Sequence, residues 1–252
     1  MIFYGESDIG AVRQENQDRF SLCEIGEDCF LAAVFDGMGG LSSGAHASEL
    51  AMNTFVKYVT KNLEKHRKAN GKISVSDETT VKNILYEGVL RANHALYMES
   101  LTMKDGAGMG TTLAALLTVS KKAYVCHVGD SRVYAIISGK LTRLTRDHSL
   151  VQYLIDTQQI SRSGAEHHPQ KNVLMKAIGT EETVSPDILV LSLSRAKQFL
   201  LCSDGLNLHI NDTEIEDILL EDTEPAEKVR TFISLARTRG ERDNTTVLVV
   251  SV

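Results

Sequence analysis

Tryptophan is absent from this sequence, and aromatic surface is limited to seven tyrosines and seven phenylalanines. Proteins that hold single-stranded nucleic acid stack bases on aromatic rings in a basic groove. Here no basic patch is visible and the formal net charge is −6, the sign that disfavours a polyanionic partner. No nucleic-acid partner is therefore expected. Proline is scarce, at three residues, and no Pro-rich linker, repeat or low-complexity tract divides the chain. Cysteine is limited to Cys23, Cys29, Cys126 and Cys202. None forms a C-x-x-C pair, and no Cys/His spacing suits zinc. Each lies in or beside an apolar run, so buried reduced thiols are expected, with a Cys23–Cys29 bridge across a hairpin as the alternative. Long apolar runs are missing too: none reaches the roughly 20 residues that span a bilayer. The opening stretch MIFYGESDIG lacks the basic start and apolar core of a secretion signal. The expectation is a cytoplasmic protein without a membrane partner.

What is present is an ordinary globular composition, 42% hydrophobic and 24% charged over 252 residues, enough to bury a sizeable core. Apolar runs of strand character fall at residues 2–9, 20–24, 28–35, 111–119, 122–128, 132–138, 188–193, 197–202 and 245–251. They are rich in Val, Leu, Ile, Phe and Tyr, and many are bounded by Gly, Asp, Asn or Ser. The spacing predicts helices over 43–66 and 78–101. A third starts at Pro225, a first-turn proline, and is stopped by Gly240. Strands, two long helices, strands, short helices and strands follow in that order. Such an order suits antiparallel sheets with helices packed outside rather than an alternating parallel sheet. Residues 66–78 and 156–172 are polar and predict surface loops; long loops in compact domains are commonly functional.

Four aspartates share one context. Asp36, Asp130 and Asp204 follow the runs FLAAVF, YVCHVG and FLLCS, and Asp243 stands just before NTTVLVV. In antiparallel neighbours the end of one strand adjoins the start of the next, so all four carboxylates could meet at one edge of the sheets. A single Asp-Gly is ordinary turn chemistry. Four gathered carboxylates would repel one another and force protonation unless a hard divalent cation, which prefers oxygen ligands, neutralised them. Gly37 would let a backbone carbonyl approach such an ion closely.

At these residues the chain resembles a known family. The stretches DIGAVRQENQD at 8–18, VFDGMGG at 34–40, GMGTTL at 108–113 and HVGDSRVY at 127–134 match it. So do LTRDHSLV at 144–151, HPQKNVLMKAIG at 168–179, LLCSDGL at 200–206 and RDNTTVLVV at 242–250. In this order, they are similar to the metal-dependent serine/threonine phosphatases of the protein phosphatase 2C-like (PPM) type in their bacterial form. The resemblance covers nearly the whole chain. It implies an α+β fold, a four-layer αββα sandwich of two stacked, mainly antiparallel sheets with helices on both outer faces. It also implies a single catalytic domain over 1–252 with a flap at 150–178 beside the active site. The implied activity is hydrolysis of phosphoserine and phosphothreonine monoesters on proteins by a hydroxide shared between two Mg²⁺ or Mn²⁺ ions. The chain would act as a monomer, opposing a serine/threonine kinase of the same cell.

The same resemblance assigns residues. Asp36 would bridge both ions, the carbonyl of Gly37 would bind the second, and Asp204 and Asp243 would hold the first. Asp130 and Asp204 would hold a third, weaker ion. Arg13 would grip the phosphate, since a guanidinium binds two oxygens at once; by position alone it would be an exposed arginine. Asp18 would hold metal-bound water, or else form an Asx turn ahead of its strand. Asp130 could instead cap its turn or pair with Arg132. Many eukaryotic members carry a proton-donating histidine two residues after the bridging aspartate. Here Met38 stands there, and it has no proton to give. His46, His127 and His148 suit packing or hydrogen bonding better than these metals, and GMGTT reads as a tight turn into a buried strand. A binding-only relative with a damaged ligand set, and a nuclease, are the competing classes. The intact aspartates disfavour the first and the missing basic, aromatic groove the second.

Overall fold

The computed structural model describes residues 1–39, 43–75, 77–102 and 108–252; Gly40 of VFDGMGG lies outside them. Strands β1 (Ile2–Asp8), β11 (Thr245–Ser251), β10 (Ala196–Cys202), β7 (Arg132–Ile137) and β8 (Lys140–Arg143) form one sheet in that spatial order. Strands β2 (Asp18–Gly26), β3 (Cys29–Met38), β5 (Leu113–Val119), β6 (Lys122–Val128) and β9 (Asp187–Ser192) form the other, with the short β4 (Gly110–Thr111) paired to the end of β3. Every pairing is antiparallel.

Period-2 alternation builds three cores from these strands. Phe30, Ala32 and Val34 of β3 and Ala114 and Leu116 of β5 meet Phe199 and Leu201 of β10 and Leu248 and Val250 of β11 between the sheets. The intervening Leu31, Ala33 and Phe35 point the other way, onto helices α1 (Ser43–Glu64) and α2 (Glu78–Ser100). Likewise Leu200, Cys202, Val247 and Val249 face α6 (Asp212–Leu220) and α7 (Pro225–Thr238), with Leu206 of the one-turn α5 (Asp204–Asn207) among them. Both faces of the central strands are covered, which is why they read as unbroken apolar runs rather than alternating ones. The four αββα layers are those the sequence resemblance implies. All four cysteines are free thiols, three of them buried, with Cys23 half-buried.

Local chemistry sets the element ends. Asp77 caps α2 by accepting from the Thr80 amide at 2.7 Å. Asn211 and Glu214 form a capping box on α6, and Pro225 opens α7 at its first turn. The β5–β6 hairpin turns at Ser120 and Lys121, both at positive φ, as a two-residue hairpin loop requires. A further hairpin, β7 to β8, turns through Ser138 and Gly139, also both at positive φ. The sequence reading has no strand at Lys140–Arg143, because KLTR is short and only half-buried.

The long polar stretch also differs from expectation. It holds a short helix, α4 (Arg162–Glu166), and follows another, α3 (Leu150–Asp156), each capped by a serine. Its base is tied to the body. Backbone bonds join Leu150 to Val173 and Met175 to His148, and Ile178 pairs with Thr111 in both directions. The buried Asn93 of α2 accepts from the Gly179 amide at 2.7 Å and donates to the carbonyls of Glu181 and Glu182. Among the described residues, no helix is long and apolar enough to cross a membrane.

Leu201 of β10 is fully buried in the core between the two sheets. Leu201→Ala should cost about 2–5 kcal/mol of stability through lost burial and a residual cavity. Chemical denaturation would read this as a lower midpoint, and an unchanged midpoint would contradict the shared inter-sheet core.

Candidate active site

β2 and β3 pair so that Asp18 and Asp36 stand opposite each other. Asp36 lies inside β3, two residues before its end, rather than just beyond a strand as its sequence context suggests. Its backbone is clamped from the side. Its amide donates to Thr112 Oγ1 at 3.0 Å, and its carbonyl accepts from Thr111 Oγ1 at 2.8 Å and the Thr112 amide at 2.9 Å. Gly37 then passes so close to α1 that a Cβ would lie 2.1 Å from the Gly44 carbonyl oxygen and 2.7 Å from that of Gln17. Only glycine fits there.

Asp130 sits in the bend between β6 and β7. Gly129 before it has φ +103°, and a Cβ would meet Thr112 Cγ2 at 2.6 Å. The Thr112 and Ser131 hydroxyls are 2.6 Å apart, so one threonine ties the Asp36 strand to the Asp130 bend. Arg132 does not pair with Asp130. It makes a two-pronged bond to Asp147, with Nη2–Oδ2 at 2.8 Å, and Arg143 grips the same carboxylate.

Asp204 opens α5 after Ser203. Gly205 is pressed against the next loop, where a Cβ would fall 2.3 Å from the Asn244 carbonyl oxygen. Asp18 is 3% exposed, and its Oδ2 accepts from the hydroxyls of Ser203 and Thr246, each at 2.7 Å. The Asx turn ahead of β2 belongs to Asn16, whose Oδ1 accepts from the Asp18 amide at 3.0 Å. Asp18 is thus built into the buried cluster instead.

Asp243 is the most open of the five, with its side chain 35% exposed. Arg13 binds it through Nε at 2.8 Å and Nη2 at 2.6 Å. Asn244 locks the two ends of the chain together: its Oδ1 accepts from the Gln17 amide and its Nδ2 donates to the carbonyls of Ile9 and Glu15. The sequence reading passes over Thr111, Thr112, Ser131, Ser203, Thr246 and Asn244. Their signal is there, since each lies beside an aspartate or within the same matched stretch.

The electrostatics are those of a crowd. Burial, then the charges of Asp18, Asp204, Asp130 and Asp243, push the Asp36 carboxyl well above its ordinary value. Burial, then Asp130, Asp243 and Asp18, do the same to Asp204. Asp18 is raised to about 6 by burial despite its two hydroxyl donors. Asp130 is raised to about 6 by burial and by Asp147. Asp18 Oδ1 is buried with no hydrogen-bond partner, an arrangement that costs free energy unless something fills it. An all-oxygen donor set, several negative charges in one water-poor place and a glycine that admits close backbone approach fit hard divalent cations.

The histidines act as structural partners. His148 Nδ1 accepts from the Gly129 amide at 3.1 Å, and its Nε2 lies 3.2 Å from Asp187 Oδ2. His127 stacks 4.8 Å from it, ring to ring, and burial lowers its pKa to about 3. His46 pairs with Glu99 at 2.7 Å. Beside the aspartates, a cavity of about 440 Å³ runs from Arg13 and Asp243 to Lys171.

Comparison with known proteins agrees with this geometry. The family model described as Protein phosphatase 2C matches residues 9–247. Serine/threonine phosphatase stp of Listeria welshimeri is 35% identical over 244 residues, 97% of this chain and 93% of that protein. Protein phosphatase PhpP of Streptococcus pneumoniae is 34% identical over 255 residues, covering 98% and 95%. Among solved structures, the catalytic domain of the serine/threonine protein phosphatase PstP in complex with two manganese ions superposes with a TM-score of 0.81 at 32% identity. That match covers 99% of this chain and 96% of that one.

Carboxyls raised in the folded state hold protons that the unfolded chain releases above its ordinary value near 3.8. Their stabilising share is full below that value and is lost as pH rises through about 6. In EDTA the melting temperature should therefore fall as pH rises from about 4 to about 7. Asp36→Asn should raise the metal-free melting temperature at pH 8 and shrink the upward shift produced by Mn²⁺. Equal destabilisation by this substitution with and without the ion would contradict the crowded-carboxylate account.

Proposed function

The chain belongs to the protein phosphatase 2C family and is a metal-dependent serine/threonine phosphatase, and from that premise we propose a role for each residue of the aspartate cluster. The observation that carries the reading is the crowding of Asp18, Asp36, Asp130 and Asp204, which burial and mutual repulsion push upward, with the half-exposed Asp243 at their edge. Asp36, Asp204 and Asp243 with the Gly37 carbonyl hold a pair of Mg²⁺ or Mn²⁺ ions, and Asp130 with Asp204 holds a third, weaker one. When bound, the ions neutralise charge on the phosphoryl oxygens and lower the pKa of the attacking water.

The remaining work belongs to the chain. Arg13 is 51% exposed at its side chain, open to a substrate arriving from solvent. Asp243 occupies its Nε and one Nη2 donor, which leaves three of its five N–H groups for a phosphoryl group. The Asp243 pair thus orients the guanidinium before substrate binds, so little ordering is left to lose on binding. Asp18, held by Ser203 and Thr246, keeps a buried Oδ1 without a partner and would use it to hold water bound to the ions. Thr112 fixes Asp36 relative to the Asp130 bend. Met38 offers no proton, so the departing serine or threonine oxygen takes one from water. The substrates are phosphorylated proteins, and the chain acts in the cytoplasm as a monomer, opposing a serine/threonine kinase of the same cell. Residues 150–178 form a flap over one side of the site. The intact aspartate set argues against a binding-only relative.

Phosphate release from phosphothreonine peptides should require Mn²⁺ or Mg²⁺ and stop with EDTA; undiminished release in EDTA would remove the metal role. Arg13→Ala should lower kcat/KM roughly ten- to 150-fold, the scale of a charge-assisted contact of ~1.5–3 kcal/mol. An unchanged kcat/KM would take Arg13 out of the phosphate grip.

Asp130→Ala separates the third-ion role from a turn-capping role. It should lower kcat at least about tenfold, a barrier increase of about 1.4 kcal/mol. Calorimetry should still show the tighter ions binding, and the melting temperature should not drop. A clear loss of stability with kcat preserved would make Asp130 a turn residue.

A further inference from the structure

The cavity beside the aspartates is larger than the reaction needs. Its volume is about 440 Å³, in the range of small-ligand pockets, whereas a phosphoryl group displaces roughly two or three waters of about 30 Å³ each. Of the five clustered aspartates only Asp243 lines it. The cavity therefore extends sideways from the phosphate grip, over ground that the residues flanking the phosphorylated side chain would cross.

Its charges are unevenly committed. The two acids in its wall are engaged. Asp243 is bound to Arg13. Glu241 is buried, with Oε1 accepting from the Asp243 amide at 2.5 Å and Oε2 lying 2.8 Å from His209 Nε2. Two cations in the same wall are not engaged. Lys171 comes from the turn after α4 and Arg242 from the loop before β11, and both are exposed. Neither takes part in an ion pair or a side-chain hydrogen bond among the described residues. An exposed lysine or arginine is ordinary on its own. Here both border one concavity, next to an arginine already assigned to an anion, in a chain of net charge −6. Val12 and Leu208, 61% and 48% exposed, supply apolar wall between them.

We propose that Lys171 and Arg242 form a second anion subsite, which selects substrates carrying a further acidic group, a carboxylate or a second phosphate, close to the phosphoserine or phosphothreonine. This rests on the phosphatase reading and adds to it the class of substrate. Two unpaired cations in the wall of one cavity raise the local potential, which speeds the encounter with an anionic segment and favours it over a neutral one. The apolar wall accepts the backbone and small side chains between the two anionic groups.

The test uses the full-length enzyme with Mn²⁺ and a set of phosphothreonine peptides. One is neutral around the phosphothreonine. The others carry a single glutamate or a single phosphoserine, walked through the neighbouring positions. The readout is the ratio of kcat/KM for each anionic peptide to that for the neutral one. At low salt at least one anionic series should exceed the neutral peptide. Lys171→Ala and Arg242→Ala should each reduce that ratio about two- to fivefold, the scale of a partly exposed ion pair. Lys171→Glu with Arg242→Glu should invert it. Raising the salt should flatten the ratio. A preference shared by glutamate and phosphoserine assigns acidic segments in general; one confined to phosphoserine assigns doubly phosphorylated segments. A wild-type ratio near one, or a ratio that survives both alanine substitutions in variants of unchanged melting temperature, overturns the subsite. Turnover of the neutral peptide keeps the phosphatase reading intact in that case, whereas no turnover of any peptide with Mn²⁺ overturns both.

Discussion

Carboxylates that repel one another in a place from which water has been removed are the constraint around which this protein is organised. Five aspartates from five separate segments are brought together, and for four of them burial is the largest influence on the proton. Left alone, such a cluster opposes folding, because each carboxylate is more costly to ionise in the presence of the others. The surrounding structure holds it regardless. Threonine and serine hydroxyls fix the orientation of Asp18 and the backbone of Asp36, and glycines at 37, 129 and 205 let neighbouring loops come closer than any side chain would permit. An acidic protein can thereby handle a phosphate, since cations brought from solution supply the charge that its own sequence withholds.

The sandwich makes this arrangement possible. Two sheets bury both of their faces, so their ends are the natural place for polar chemistry, and antiparallel pairing returns strand ends and strand starts to the same edge. Asp18 and Asp36 face each other across β2 and β3. Ser203 and Thr246 join the other sheet to them. The site therefore spans the seam between the sheets, and the inter-sheet core of Phe30, Leu116, Leu201 and Leu248 sets the distance across it.

Much of this was legible in the sequence, and what was not has physical reasons. The apolar runs match β6 and β11 to the residue, because strands covered on both faces tolerate little else, whereas β3 continues three residues past its run to Met38. Asp36, Asp130, Asp204 and Asp243 could be singled out because each interrupts or borders such a run. Strand β8 was missed because an edge strand such as KLTR needs no continuous apolar pattern. Short helices are expected after the middle strands, but α4 falls in a stretch that reads as a loop because its single turn buries little beyond Ala165. Arg132 looked like a partner for Asp130 by nearness in sequence, yet the twist of β7 delivers it to Asp147. Thr112 and Ser203 stand in matched stretches beside the aspartates, but a hydroxyl that orients a neighbour resembles any other buried hydroxyl until its partner is known.

The strand β11 lies between β1 and β10, and the loop that leads into it carries Asp243 and Asn244. The first and last strands of the chain are thus neighbours, with residues about 240 positions apart sharing one ladder. During synthesis on the ribosome, the slot between β1 and β10 stays open until residues 245–251 emerge. Until then Asp18 lacks the Thr246 hydroxyl and Arg13 lacks its carboxylate partner. That sheet is completed only when β11 is inserted. The order of translation thus makes hydrolytic competence depend on synthesis and insertion of β11.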